Sequence, residues 1–102
     1  MDSRFEFEFE WDEEKDHINQ MKHGVSFKEA AMVFSDDKRV EIFDHKHSFF
    51  EDRWKIIGLS GLIVLFVSVT ERFGRVRIIS ARKAIKAEEE AYYYGYGKVH
   101  FN

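Results

Sequence analysis

Aromatic and acidic residues alternate at the start of the chain: Phe5, Phe7, Phe9 and Trp11 interleave with Glu6, Glu8 and Glu10. A period of two predicts a strand with one buried and one wet face. The pattern then changes. Asp12 is placed to cap a helix, and Glu13 and Glu14 fall in the first turn, where the helix dipole favours anions. Ile18 and Met21 mark its expected inner side, and Gly24 stops it after about Lys22. Ser26 and Glu29 form a capping box for a second, short helix, with Val25 and Ala30 spaced as a hydrophobic staple. Its expected buried residues are Ala30, Ala31, Val33 and Phe34. It ends before Asp36-Asp37. Val40 to Phe43 reads as a short edge strand, and Asp44 to Asp52 as a polar loop that holds Phe49 and Phe50.

Three strands follow, at Arg53–Leu59, Leu62–Arg72 and Arg75–Ala81, separated by the turn dipeptides Ser60-Gly61 and Phe73-Gly74. Such short turns make an antiparallel meander. The middle strand is almost entirely apolar at its centre, which predicts a central position covered on both faces. A last helix spans about Ala84 to Tyr94 and stops at Gly95-Tyr96-Gly97. The predicted class is α+β. A single antiparallel sheet, the N-terminal strand plus the three-stranded meander, packs with two N-terminal helices and one C-terminal helix.

At 102 residues the chain is expected to form one domain, residues 1–102. Eleven Phe, two Trp and four Tyr make the core aromatic-rich. Without cysteine there are no disulfides or thiolate metal sites, which fits a cytoplasmic protein. No basic-then-apolar start resembles a signal peptide. The longest apolar run, Leu62 to Val67, is far short of the ~20 residues that cross a bilayer.

Charge changes the picture more. The net is −3, but residues 53–87 carry eight Lys or Arg and a single carboxylate, Glu71, whereas residues 1–52 carry seven cations against fifteen carboxylates. An acidic chain that gathers its cations on strands has a local anion site, suited to nucleic acid or another polyanion. The acidic half is expected to face away from such a ligand.

Strand alternation puts Thr70 and Arg72 on one face, Ser80 and Arg82 on one face of the next strand, and Arg75 and Arg77 on its other face. The Phe73-Gly74 turn brings Arg72 close to Arg75, and simple register sets Arg53 beside Thr70 and Arg72. Guanidinium groups offer planar, bidentate donors suited to phosphate. They equally serve a solvated face with salt bridges to the acidic half. Lys22-His23-Gly24 supplies a possible general acid or base beside a cation, and also the cations that complement a helix C-terminus. Glu51, held near arginines, stays ionised and can accept a proton from a ribose hydroxyl. His45, His47 and Glu51 form an incomplete zinc-like set. Tyr92, Tyr93, Tyr94 and Tyr96 suit base stacking or core closure.

Several of these residues fall in one order: Trp11-Asp12, Asn19, Lys22-His23-Gly24-Val25-Ser26-Phe27, Glu29-Ala30, Val33-Phe34, His47-Ser48, Glu51, Arg53, Ile57-Gly58, Ser60, Thr70-Glu71-Arg72 and Arg77-Ile78-Ile79-Ser80-Ala81-Arg82. In this the chain resembles the BrnT family of toxins from type II toxin–antitoxin modules, over about Phe7 to Tyr94. The resemblance implies a RelE-like fold, endoribonuclease activity that arrests growth, and a cognate BrnA-like ribbon-helix-helix antitoxin through which operator DNA is bound. It implies RNA cleavage without metal or other cofactor, by attack of the substrate's 2′-hydroxyl. Lys22, His23, Glu51, Arg53, Arg72 and Arg82 are then the candidate catalytic residues. Arg72 and Arg82 would clamp the phosphate, Glu51 or His23 would be the base, and Lys22, His23 or Arg53 would serve the leaving oxygen. Thr70, Arg75, Arg77, Ser80 and Lys83 are candidate RNA contacts. The alternatives are a non-catalytic RNA- or protein-binding module and a metal-dependent nuclease built on His45, His47 and Glu51.

Overall fold

A computed structural model describes residues 7–95. Phe5 and Glu6 of the predicted first strand, and Tyr96 and Gly97 of the predicted stop, lie outside the described residues. Three helices pack on a five-stranded sheet. β1 is Phe9–Glu10, α1 Glu13–His23, α2 Phe27–Ala31, β2 Val40–Phe43, β3 Arg53–Ser60, β4 Ile63–Arg72, β5 Arg75–Lys83 and α3 Lys86–Tyr94. Short 3₁₀ turns follow α2 at Met32–Ser35 and β2 at His45–His47. The strand order is β1-β5-β4-β3-β2. β2 through β5 pair antiparallel, and β4 is central, as its apolar run predicts. β1 runs parallel to β5, with Phe9 opposite Val76 and Glu10 opposite Arg77. The sheet is therefore mixed rather than wholly antiparallel. Among the described residues no helix is long and apolar enough to cross a membrane.

Local chemistry sets the element ends. Asp12 caps α1 by accepting from Glu14 N at 2.8 Å and Lys15 N at 3.2 Å, and Gly24 closes it in the left-handed region (φ 68°). The capping box of α2 is complete: Ser26 Oγ accepts from Glu29 N, and the Glu29 carboxylate accepts from Ser26 N, both at 3.0 Å. Asp16 ties the two helices together by accepting from Phe27 N at 2.8 Å.

The main core lies between the sheet and α2 with its following turn. Phe27, Ala30, Val33 and Phe34 meet Ile56, Leu65, Val67, Val69, Ile78 and Ala81, and Phe7, Phe9 and Trp11 close its margin. Ile18 and Met21 do not face inward; both are exposed. Asn19 is the buried residue of α1, because its amide serves the backbone of Ala81 at the outer edge of β5. A second, smaller core forms on the opposite sheet face, where Ala91 and Tyr92 of α3 cover Ile57, Val64, Leu59 and Phe66. That helix is nine residues long and covers only part of its face.

Candidate active site

Residues directly opposite one another in a sheet share a face. On the face that α3 covers in part, Arg53, Thr70 and Arg77 form one row across β3, β4 and β5. Lys55, Ser68 and Ser80 form the next, and Ile57, Phe66 and Arg82 the one beyond. Arg72 and Arg75 pair at the hairpin end. Arg75 and Arg77 thus share the face of Ser80 and Arg82, contrary to simple alternation. The cause is a bulge. Ser68 pairs with Ser80 and Val69 with Ile78, leaving Ile79 without a partner, and the extra residue reverses the parity of β5. Lys83, opposite Leu65, falls on the other face, away from these cations.

The cations are not equivalent. Arg82 is committed to the fold: its two terminal nitrogens each donate to the buried Glu88 carboxylate at 2.8 Å, and its guanidinium lies 4.4 Å from the centroid of the Phe66 ring. Glu88 in turn accepts from Ile85 N at 2.9 Å and so fixes the start of α3. Arg77 bonds Glu10 at 2.7 Å and Arg75 reaches Glu8 at 3.3 Å. The acidic first strand therefore does not face away; it lies along the basic one and neutralises part of it. Arg72 has only a long contact to Glu51, at 3.5 Å, with both side chains partly exposed. Arg53 has a shielded Nε without a hydrogen-bond partner, and no carboxylate among the described residues pairs with it at salt-bridge distance.

The loop before β3 is stapled down beside these arginines. Asp44 N donates to Arg53 O at 2.8 Å, Ser48 Oγ donates to Asp44 O at 2.6 Å, and Arg53 N donates to Ser48 Oγ at 2.9 Å. Thr70 uses its hydroxyl to hold the loop's end, donating to Asp52 O at 2.6 Å. This arrangement sets His47, Glu51 and Arg53 around one cleft of about 340 Å³, together with Phe49 and Phe50. Nδ1 of His47 lies 2.9 Å from Oδ2 of the buried Asp44. Lys55 lies 3.5 Å from the same carboxylate and donates to Ser68 Oγ at 3.1 Å. Burial alone would raise the Asp44 pKa. The hydrogen bonds from His47 and the charge of Lys55 outweigh it and hold the carboxyl below its ordinary value.

Lys22 and His23 lie elsewhere. With Lys15, Ile18, Asn19, Ile79 and Ser80 they line a cleft of about 200 Å³ at the outer edge of β5. His45 packs on Phe43 while His47 is held by Asp44. Among the described residues no three His, Asp or Glu side chains gather in a way that could hold a metal ion. The sequence alone suggests His47 as a possible metal ligand and as part of the family-like order, and does not single out Asp44 or Lys55. The visible signals were the Asp-x-x-His spacing of a capped turn and the two-residue step from Arg53 to Lys55.

No curated protein matches the chain. One family model matches residues 11–88, and it is described as ribonuclease toxin, BrnT, of type II toxin-antitoxin system.

Proposed function

The chain belongs to the BrnT family of ribonuclease toxins of type II toxin–antitoxin systems, and on that premise we propose that it cuts RNA without a metal ion in the cleft beside Arg53 and Arg72. The observation that supports this cleft is the meeting of Glu51, His47 and Arg53 around one opening, with Arg72 reaching Glu51. Cleavage by the 2′-hydroxyl needs a base, a phosphate clamp and an acid. Glu51 takes the 2′-hydroxyl proton. The 2′ oxygen attacks phosphorus, the bond to the 5′ oxygen breaks, and a 2′,3′-cyclic phosphate forms. His47 enters the step as the imidazolium, its Nδ1–H donating to Asp44, and its Nε2–H passes a proton to the departing 5′ oxygen. Arg53 and Arg72 hold the phosphate and stabilise the charge that builds on its oxygens.

In this scheme Arg82 braces the sheet against α3 instead of clamping phosphate, and Lys22 and His23 belong to a neighbouring surface. Arg75, Arg77 and Ser80 contact flanking phosphates. An antitoxin of the ribbon-helix-helix kind covers the basic face and carries the operator-binding function. The RNA substrate sets the cytoplasm as the place of action.

The test is cleavage of a ribonucleotide oligomer in EDTA by the wild type and by Arg53→Ala, Arg72→Ala, Glu51→Gln and His47→Gln. Each variant should lose about a hundredfold or more in rate, since one such charge-stabilising donor or proton-transfer group contributes roughly 10²–10³. Loss of wild-type activity in chelator, or full activity in both arginine variants, overturns the scheme. Binding without any cleavage by the wild type would mark a non-catalytic module.

A further inference from the structure

Three phenylalanines stand almost wholly in solvent around the basic end of the sheet: Phe49 is 88% exposed, Phe50 95% and Phe73 98%. Single exposed apolar side chains are ordinary. These three are not scattered. Phe49 and Phe50 line the cleft of His47, Glu51 and Arg53. Their rings meet edge to face, with centroids 4.8 Å apart and planes at 83°, so each props the other upright. Phe73 stands at the tip of the β4–β5 hairpin, flanked in sequence by Arg72 and followed after Gly74 by Arg75.

Phe73 is disfavoured twice where it stands. Its φ is 53°, the one positive value at a non-glycine position among the described residues, and Gly74 follows at 79°. Two successive positive φ angles in a two-residue hairpin turn favour Asn-Gly or Asp-Gly, not a bulky aromatic. Asn would relax the backbone and remove the exposed ring. A residue that stability argues against, placed beside a guanidinium cluster, points to a ligand.

We propose that Phe49 and Phe50 on one side, and Phe73 on the other, are stacking platforms for unpaired nucleobases flanking the phosphate held by Arg53 and Arg72. The substrate class is therefore single-stranded RNA. A cationic track interleaved with aromatic rings is how a protein holds a single strand irrespective of sequence. A duplex offers such rings nothing, because its bases are already stacked and paired. This inference rests on the ribonuclease reading above and adds what that reading leaves open, the form of the RNA.

The test measures fluorescence anisotropy of a labelled single-stranded 2′-O-methyl oligoribonucleotide, which cannot be cut, and of the same sequence as a duplex. The full chain is compared with Phe73→Asn and with the double variant Phe49→Ser, Phe50→Ser. Each should weaken single-strand binding about tenfold or more and leave duplex binding unchanged. Phe73→Asn should also melt at a higher temperature, so its lost affinity cannot be ascribed to unfolding. Unchanged single-strand affinity in both variants, or equal loss for the duplex, overturns the proposal. Cleavage of the unmodified strand separates the two readings. Wild type that binds through the phenylalanines yet cuts nothing sinks the nuclease and keeps the platforms, whereas phenylalanine variants that bind and cut normally sink the platforms and keep the nuclease. Variants that bind and cut normally but escape a co-expressed antitoxin would assign the rings to a protein contact and overturn the proposal.

Discussion

Asn19 does the work of an absent strand. β1 pairs with β5 only at Val76 and Arg77, so Ala81 further along that edge would be left unpaired. The Asn19 amide takes both of its backbone groups. Oδ1 accepts from Ala81 N at 3.2 Å and Nδ2 donates to Ala81 O at 2.8 Å, with a second bond to Val25 O at 2.8 Å. Asn19→Ala orphans buried donors and acceptors, so it should destabilise by about 2–4 kcal/mol, read from urea unfolding. Gly58 is constrained by space. A Cβ there would lie 3.1 Å from Val33 Cβ and 3.2 Å from Arg39 Cβ. Gly58→Ala should cost about 1–3 kcal/mol, and a change under ~0.5 kcal/mol would mean the two neighbours yield. Glu88→Gln should lower the melting temperature and loosen α3, since it strips the charge from a carboxylate bonded to both Arg82 and Ile85 N.

At the level of elements, what was legible in the sequence was local. The Asp12 cap, the Ser26–Glu29 box and the Phe73-Gly74 turn each depend on residues within one turn of chain, so their chemistry can be read in order. The parallel pairing of β1 with β5 joins segments 67 residues apart and carries no local mark. The bulge was hidden for a different reason. Ile78 and Ile79 are both apolar, so either can face a core, and the residues alone do not say where alternation slips. The same slip decides the site, since it gathers Arg75, Arg77, Ser80 and Arg82 on one face. His47 reads as a metal ligand in the sequence because its bond to Asp44 is made only by the folded loop. Deleting Ile79 removes the unpartnered residue and restores plain alternation, so Ser80 and Arg82 should keep their places opposite Ser68 and Phe66 and the Arg82–Glu88 pair should survive. The expected outcome is a folded variant that retains its α3 signal by circular dichroism. A deletion variant that loses α3 packing would refute the assigned register.

For the whole molecule, acid is the expected weakness. Asp36 joins Asp44 in having a lowered pKa. Burial works against this, but bonds from Tyr92 and from the amides of Leu59 and Lys38 prevail. Tyr92 is raised by burial and by the same Asp36 contact, so it stays protonated and keeps donating. Both carboxyls titrate lower folded than unfolded. Their contribution is complete above the ordinary carboxylate range near pH ~4 and drains away as pH falls through the folded values. Melting temperature should therefore drop below about pH 5, and less steeply in Asp36→Asn and Asp44→Asn than in the wild type. Equal slopes would remove these two groups from the account.

The parallel seating of β1 has an effect on selectivity. In the proposed scheme Glu8 and Glu10 act as a tethered rival for the ground that an RNA strand would occupy, so binding at Arg75 and Arg77 would be an exchange of one anion for another rather than a simple capture. Sparse or ill-spaced polyanions cannot evict a competitor whose local concentration never falls, and a dense, well-matched backbone can. Removing that rival with Glu10→Gln should tighten binding and make it more indiscriminate, turning a selective surface into a merely sticky one.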